Sequence, residues 1–338
     1  MYIATSPARR RLVQASSADR AVRLPLPLAQ LTTRAFEDAR PYQEEMLGFF
    51  GDLANLYGLP YDREEFARRR RTTFTDMVTG IVDELRGEGD AVGLVVLAHS
   101  TSDSEPGWPA CYLTNALPGE PLSFAIADQG VVAPFTALRI AGDYIRADDV
   151  HRAMVVVLDQ RTLLRDPAAG GDAVTPTGNR VAALVLDRRG ALADATVSVE
   201  TDVDLDAVAP ALLRAEVVVA GTRLASLLQQ GPEGAAPTDC PGASGQHSPE
   251  GAAPTDCPGA SGQQGPEGAA PTDCPGASGK HGPEVVPAPD GLPCTGLWST
   301  LDGELDRWRS AGITDVLLAD YDPELRCLGQ CRLELRAS

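Results

Sequence analysis

"SFAIADQGVVAPFTALRIAGDYI", residues 123–145, decides how the chain folds. The opening residues read as a strand over 122–127. The last fifteen carry apolar side chains at helical spacing and predict a helix over 133–147. Between them lie Asp128, Gln129, Gly130 and Val131. A strand, sharp turn and helix in this order often present a nucleophile at the helix N-terminus. Here the turn holds no Ser, Cys or Thr.

The flanking sequence repeats the same alternation of strands and helices. "RPYQEEMLGFFGDLANLYGL" (40–59) and "FTDMVTGIVDELRG" (74–87) carry apolar residues at helical spacing. "AVGLVVLAH" (91–99) is a near-continuous Val/Leu run, the mark of a strand covered on both faces. A short helix is predicted at 108–117, and a strand at "AMVVVLDQ" (153–160). "RVAALVLDRRGALADATVSVE" (180–200) reads as two strands around Arg189-Gly190. A helix at 206–214, a strand at 216–221, a helix at 300–311 and strands at 315–319 and 327–335 complete the pattern. It is that of an α/β protein.

Composition narrows the function. The net charge of −18 excludes a general nucleic-acid binder, which needs a basic face. No apolar run approaches the roughly 20 residues of a membrane span. "MYIATSPARRRLVQASS" has arginines with no apolar segment behind them, so no secretory signal is read and a cytoplasmic location is expected. Seven cysteines in 338 residues do not suggest a disulfide framework.

Three cysteines, Cys240, Cys257 and Cys274, are copies of one position in a 17-residue unit, "GPEGAAPTDCPGASGQH", repeated three times over 231–281. Each copy has three prolines and no aliphatic side chain larger than alanine, so it cannot offset its own ordering entropy. A disordered, Pro/Gly-rich linker is expected at 230–290, interrupting one domain. Zinc sites use ligands two to four residues apart, and no metal is assigned to this spacing or to His247 and His281.

In this order, "VGLVVLAHSTSD", "GWPACYLTNALPG", "LSFAIADQGVVAPFTALRIAGDYI", "VHRAMVVVLDQ", "TPTGNRVAALVLDRRG" and "GITDVLLADYDPELRCLGQCRLEL" resemble the thiolase-like family, nearest to β-ketoacyl-ACP synthase III. The resemblance covers roughly residues 90–225 and 292–335; residues 1–60 match poorly. It implies a duplicated fold of αβαβα layers, with one half over 1–170 and the other over 171–338. It also implies a homodimer, or a heterodimer with an active homologue. Acyl carrier protein or a CoA thioester would be the partner. A phosphopantetheine thioester would enter as substrate, and no cofactor is expected.

That family's chemistry uses a cysteine at the turn, then a histidine and an asparagine from the second half. By the resemblance the cysteine falls near Gln129, Gly130 or Val131, and the histidine at Ala220-Gly221. The asparagine falls in "LPCTGLW", which offers Cys294 and Thr295, and the glycine-rich closing loop has become "ADYDPEL". All three catalytic parts are absent or replaced.

Four side chains remain as candidates. The Gln129 amide could donate to an enolate or thioester oxygen, and Asp128 could orient a group or act as a base. His99 could face a ligand from a strand end, and Cys294 could be a displaced nucleophile activated by a helix dipole. Each also has a structural reading: turn capping for Asp128, a hydrogen-bonded histidine, inert packing for Cys294. Cys111 reads as a helix core residue and His151 as a surface one, while Cys327 and Cys331 fall near the closing hairpin. Arg68 to Arg71 read either as a solvated face balancing Glu64 and Glu65 or as a dock for an acidic carrier protein. A non-condensing acyl-handling protein of specialised-metabolite or lipid biosynthesis is the first functional reading. An acyltransferase or malonyl decarboxylase with a remodelled site is the second.

Overall fold

A computed structural model describes residues 26–86, 90–163, 175–230 and 283–336. The first half runs β1 (Leu26–Phe36), the short pair β2 (Arg40–Pro41) and β3 (Arg70–Arg71), then β4 (Leu94–His99), β5 (Leu122–Ile126), β6 (Arg152–Asp159) and β7 (Asn179–Asp187). The second runs β8 (Ala193–Thr201), β9 (Val217–Ala220), β10 (Glu284–Pro287), β11 (Asp315–Asp322) and β12 (Cys327–Leu335). Helices α1 (Glu44–Leu56), α2 (Arg63–Arg68), α3 (Phe74–Arg86), α4 (Pro109–Ala116) and α5 (Ala133–Arg146) belong to the first half. Helices α6 (Leu205–Leu212), α7 (Thr222–Gln230) and α8 (Gly296–Ser310) belong to the second.

The strand order is one pattern used twice. The first half is ordered β5-β4-β6-β7-β1 and the second β10-β9-β11-β12-β8. In each, the first two pairings are parallel and the next two antiparallel. Parallel neighbours need a crossover, and helices supply it: α4 and α5 around β5, α7 and α8 around β10. Among the described residues, the two sets are hydrogen-bonded to each other only where Leu26–Leu28 of β1 pairs with Ala193–Ala195 of β8.

Alternation along the buried strands explains the layers. Val95 and Leu97 of β4, with Met154, Val156 and Leu158 of β6, pack outward against Phe74, Met77, Ile81 and Leu85 of α3. Their neighbours Leu94, Val96, Ala98, Val155 and Val157 point inward, into a cluster shared by α5 and α8. The second half repeats this, with Val218 and Leu317 outward toward Leu224 and Leu228 of α7, and Val217, Val219 and Leu318 inward. Five layers result, helix–sheet–helix–sheet–helix, with α5 and α8 in the middle. Phe135 of α5 and Trp298 of α8 meet there, ring centroids 5.9 Å apart, both fully buried.

Sequence and structure differ at several elements. β1 lies in the stretch that matches the family poorly, and α2, α7 and β10 were not expected. Most of the linker expected over 230–290, including all three repeats, lies outside the described residues. Its last part is ordered instead, because Val285 and Val286 pair in parallel with Val218 and Val219. Cys111 is exposed on α4, where a core position was expected. Among the described residues no helix is long and apolar enough to cross a membrane.

Candidate functional site

The duplicated topology brings the N-terminal ends of α5 and α8 to one place, beside the C-terminal ends of β9 and β11. A cavity of about 560 Å³ lies there. The turn that opened the sequence reading forms one wall.

After β5 the chain turns through Asp128 at φ 61° and Gly130 at φ 51°, then enters a 3-10 turn, Gly130–Val132, continuous with α5. Positive φ is disfavoured for most side chains, with aspartate among those that tolerate it best. Asp128 is exposed and lines the cavity, as do Gly130 and Val131. Gln129 is half-buried and lies outside the lining; its carbonyl accepts the Val132 N–H at 3.2 Å. The polar side chain that the turn offers to a ligand is therefore Asp128.

Two carboxylates on β11 fill the space above two glycines. A Cβ on Gly130 would overlap the Asp322 carboxylate, and a Cβ on Gly221, just past β9, would overlap that of Asp320. Asp322 is fixed by the N–H groups of Glu324 and Leu325, each at 3.0 Å. Among the described residues, Asp320 accepts only the Tyr321 N–H, at 2.8 Å. Burial, with the Asp322 charge adding to it, pushes the Asp320 carboxyl up to about 7. The "ADYDPEL" segment thus places acids where small residues were the family expectation.

Asp159, at the end of β6, is fully buried. It accepts the Thr295 N–H and hydroxyl, both at 2.7 Å, and the Cys294 N–H at 3.1 Å. It is the anionic cap of α8, satisfying amides that a helix start leaves unpaired. Burial still outweighs these donors and pushes its carboxyl up to about 6.

Cys294 is 1% exposed and is not part of the cavity lining. Its Sγ lies 3.8 Å from the Gly130 carbonyl. Burial first, and then the Asp159 charge, push the thiol well above its ordinary value. Against the helix-dipole activation expected for this cysteine, the anion that caps α8 disfavours the thiolate.

His99 also stands back from the cavity. Its Nδ1 lies 2.7 Å from the Thr101 carbonyl and must donate to it, and its ring packs on Phe74 at 4.9 Å. Burial lowers its pKa, against the Thr101 carbonyl and the Asp128 charge, which raise it. His151 is exposed, 3.8 Å from Asp148.

The arginine cluster is split by the fold. Arg71 is buried, ion-paired with Glu105 and stacked 4.4 Å over the Tyr42 ring. Arg69 pairs with Glu65 at 2.6 Å, and Arg68 donates to the Glu64 carbonyl at 3.2 Å. Arg70 donates to the Asp38 carbonyl at 3.4 Å. The four do not make one basic face, because α2 ends between them and β3 turns Arg71 inward. Among the described residues no three His, Cys, Asp or Glu side chains are grouped to hold a metal ion.

Sequence reasoning passed over Asp159 and underrated Asp320. A signal existed in both cases: each is a carboxylate ending a continuous apolar strand, "VVVLD" and "VLLAD".

No family model and no curated protein matches this chain. Solved structures do. ChlB3, described as an acyltransferase, superposes with a TM-score of 0.53 at 14% identity, covering 93% of this chain and 98% of its own. The 3-oxoacyl-[acyl-carrier-protein] synthase III of Aquifex aeolicus VF5 gives 0.52 at 11% identity, covering 91% and 99%. AbyA1, a tetronic acid condensing enzyme, gives 0.52 at 14%, covering 91% and 99%. The fold is thiolase-like, of the synthase III type.

Proposed function

We propose that this chain is a ketosynthase III-like acyl-handling protein that holds an acyl thioester without running the standard condensation. One observation carries the reading. The helix N-termini and strand ends converge on a cavity whose lining, among the described residues, has neither a thiol nor an imidazole. Condensation needs a thiolate to take the acyl group and neutral donors for the enolate left by decarboxylation. At this site Asp128 stands at the turn, Gly221 follows β9, and Asp320 and Asp322 fill the space around them. Carboxylates there oppose developing negative charge.

The ligand would be the thioester arm of an acyl carrier protein or of CoA, in specialised-metabolite or lipid biosynthesis. The exposed Arg68 and Arg70 are the part of the arginine cluster open to a carrier protein's acidic surface. Edge strand β5 suits pairing with a second copy or an active homologue. Its outer side is unpaired among the described residues, and Leu122 is 53% exposed.

A second reading, acyl transfer or malonyl decarboxylation at a remodelled site, has one observation in its favour. Asp128 is held at the turn with a positive φ, facing the cavity as a base would. Gln129 and Cys294 support it less, since neither lines the cavity.

Titrating the full chain with acyl- and unacylated carrier protein tests the first reading. Tighter binding of the acylated form, with the thioester recovered intact, is expected. Equal binding of both forms, or loss of the thioester, would count against it.

A further inference from the structure

The cavity has a charge that thioester binding alone does not explain. Among the described residues, five carboxylates, Asp128, Asp290, Asp320, Asp322 and Glu324, line it with one guanidinium, Arg223. Acids on a wall are ordinarily solvated, and the number alone decides nothing. Asp320 is different. It is only 8% exposed, its Oδ1 holds the Tyr321 N–H, and among the described residues no donor reaches Oδ2 and no cation pairs with it. A carboxyl buried without a counter-charge is costly, and here it takes a proton up to about pH 7. On the same cavity, the buried Thr101 hydroxyl also has no hydrogen-bond partner among the described residues. An ammonium supplies what both atoms lack, N–H donors and, for Asp320, a positive charge.

We propose that the cavity selects an acyl thioester whose acyl group bears a basic amine, with the ammonium against Asp320 Oδ2 and Asp322 beside it. A malonyl group, anionic at its far end, is repelled by the same wall. The inference rests on the thioester-binding reading and narrows its substrate class.

β-Alanyl-, butyryl- and malonyl-pantetheine differ only at the acyl end: ammonium, methyl and carboxylate. Their binding to the full chain is measured by calorimetry at about pH 8 and about pH 5.5, on either side of the Asp320 titration. The other titratable or charged groups around that carboxyl are Asp322 on its own strand, Glu324 in the next turn, Asp128 at the elbow, Asp290 and Cys294 before α8, and Arg223 on α7. The β-alanyl form should bind at least about tenfold more tightly than butyryl at the higher pH, with malonyl weakest. That advantage should shrink toward unity at the lower pH and in Asp320→Asn. Asp128→Asn, at an exposed position where asparagine tolerates positive φ, should reduce it by a smaller factor and serves as a second variant. Equal binding of β-alanyl and butyryl forms, or tightest binding of malonyl, overturns the inference and leaves thioester binding intact. Failure of all three to bind the folded protein overturns the thioester reading and this inference with it.

Discussion

Asp320→Asn should stabilise the fold at alkaline pH and leave it nearly unchanged in acid. The carboxyl moves from an ordinary value of 3.8 to about 7 on folding. Every tenfold change in proton affinity is worth about 1.4 kcal/mol, so burying the charged form costs up to about 4 kcal/mol above pH 7. Solvent entering the cavity and local relaxation reduce this, and a gain of about 2 kcal/mol at pH 8 is a fair expectation. The sign follows from proton binding. Between those two values the folded state holds a proton that the unfolded state has released, so wild-type stability falls as pH rises through the window. Asparagine does not titrate, and its amide oxygen can still accept the Tyr321 N–H. Urea denaturation at about pH 4, 6 and 8, followed by fluorescence of the buried Trp298 and Trp308, reads the difference. A variant less stable than wild type at pH 8 would refute the reasoning, because it would mean the charged carboxylate is already well compensated. A gain independent of pH would refute it too.

Three further outcomes follow from the same geometry. Asp159→Ala leaves two amides and the Thr295 hydroxyl without their acceptor at the start of α8 and should cost about 3–5 kcal/mol in the same denaturation assay. A loss below about 1 kcal/mol would mean water or a neighbour replaces the cap. Cys294 should resist alkylation by iodoacetamide in the folded protein at neutral pH, whereas the exposed Cys111 reacts, as peptide mapping would show. Preferential labelling of Cys294 would revive it as a nucleophile. Leu122→Lys on the β5 edge should shift a dimer toward monomer in light scattering; an unchanged mass would remove β5 from the interface.

Much of the architecture was legible because burial imposes clear periods on the chain. β4, β6 and β9 are covered on both faces and read as continuous apolar runs, and α3 and α5 each carry an apolar stripe. β1 escaped notice for a physical reason. It begins the first half while touching the second, its residues past Leu28 are half-buried or exposed, and Pro27 and Gln30 interrupt any apolar run. α7 and β10 were hidden by the repeat that separates them in sequence. The turn at 128–131 was placed correctly, but which side chain faces the cavity depends on backbone φ at two nearby positions, which spacing does not encode. The roles of Asp320 and Asp322 depend on glycines far away in the chain, and only the fold brings Gly221 and Gly130 beneath them.

The proposed function requires this thiolase-like scaffold to keep a thioester site without the means to condense. Incubation with acyl- and malonyl-carrier protein, followed by intact mass and carbon dioxide release, tests it most directly. An unmodified mass and carbon dioxide no higher than in the carrier alone are expected. An acyl adduct, or carbon dioxide release abolished by Cys294→Ala or Gln129→Ala, would contradict it.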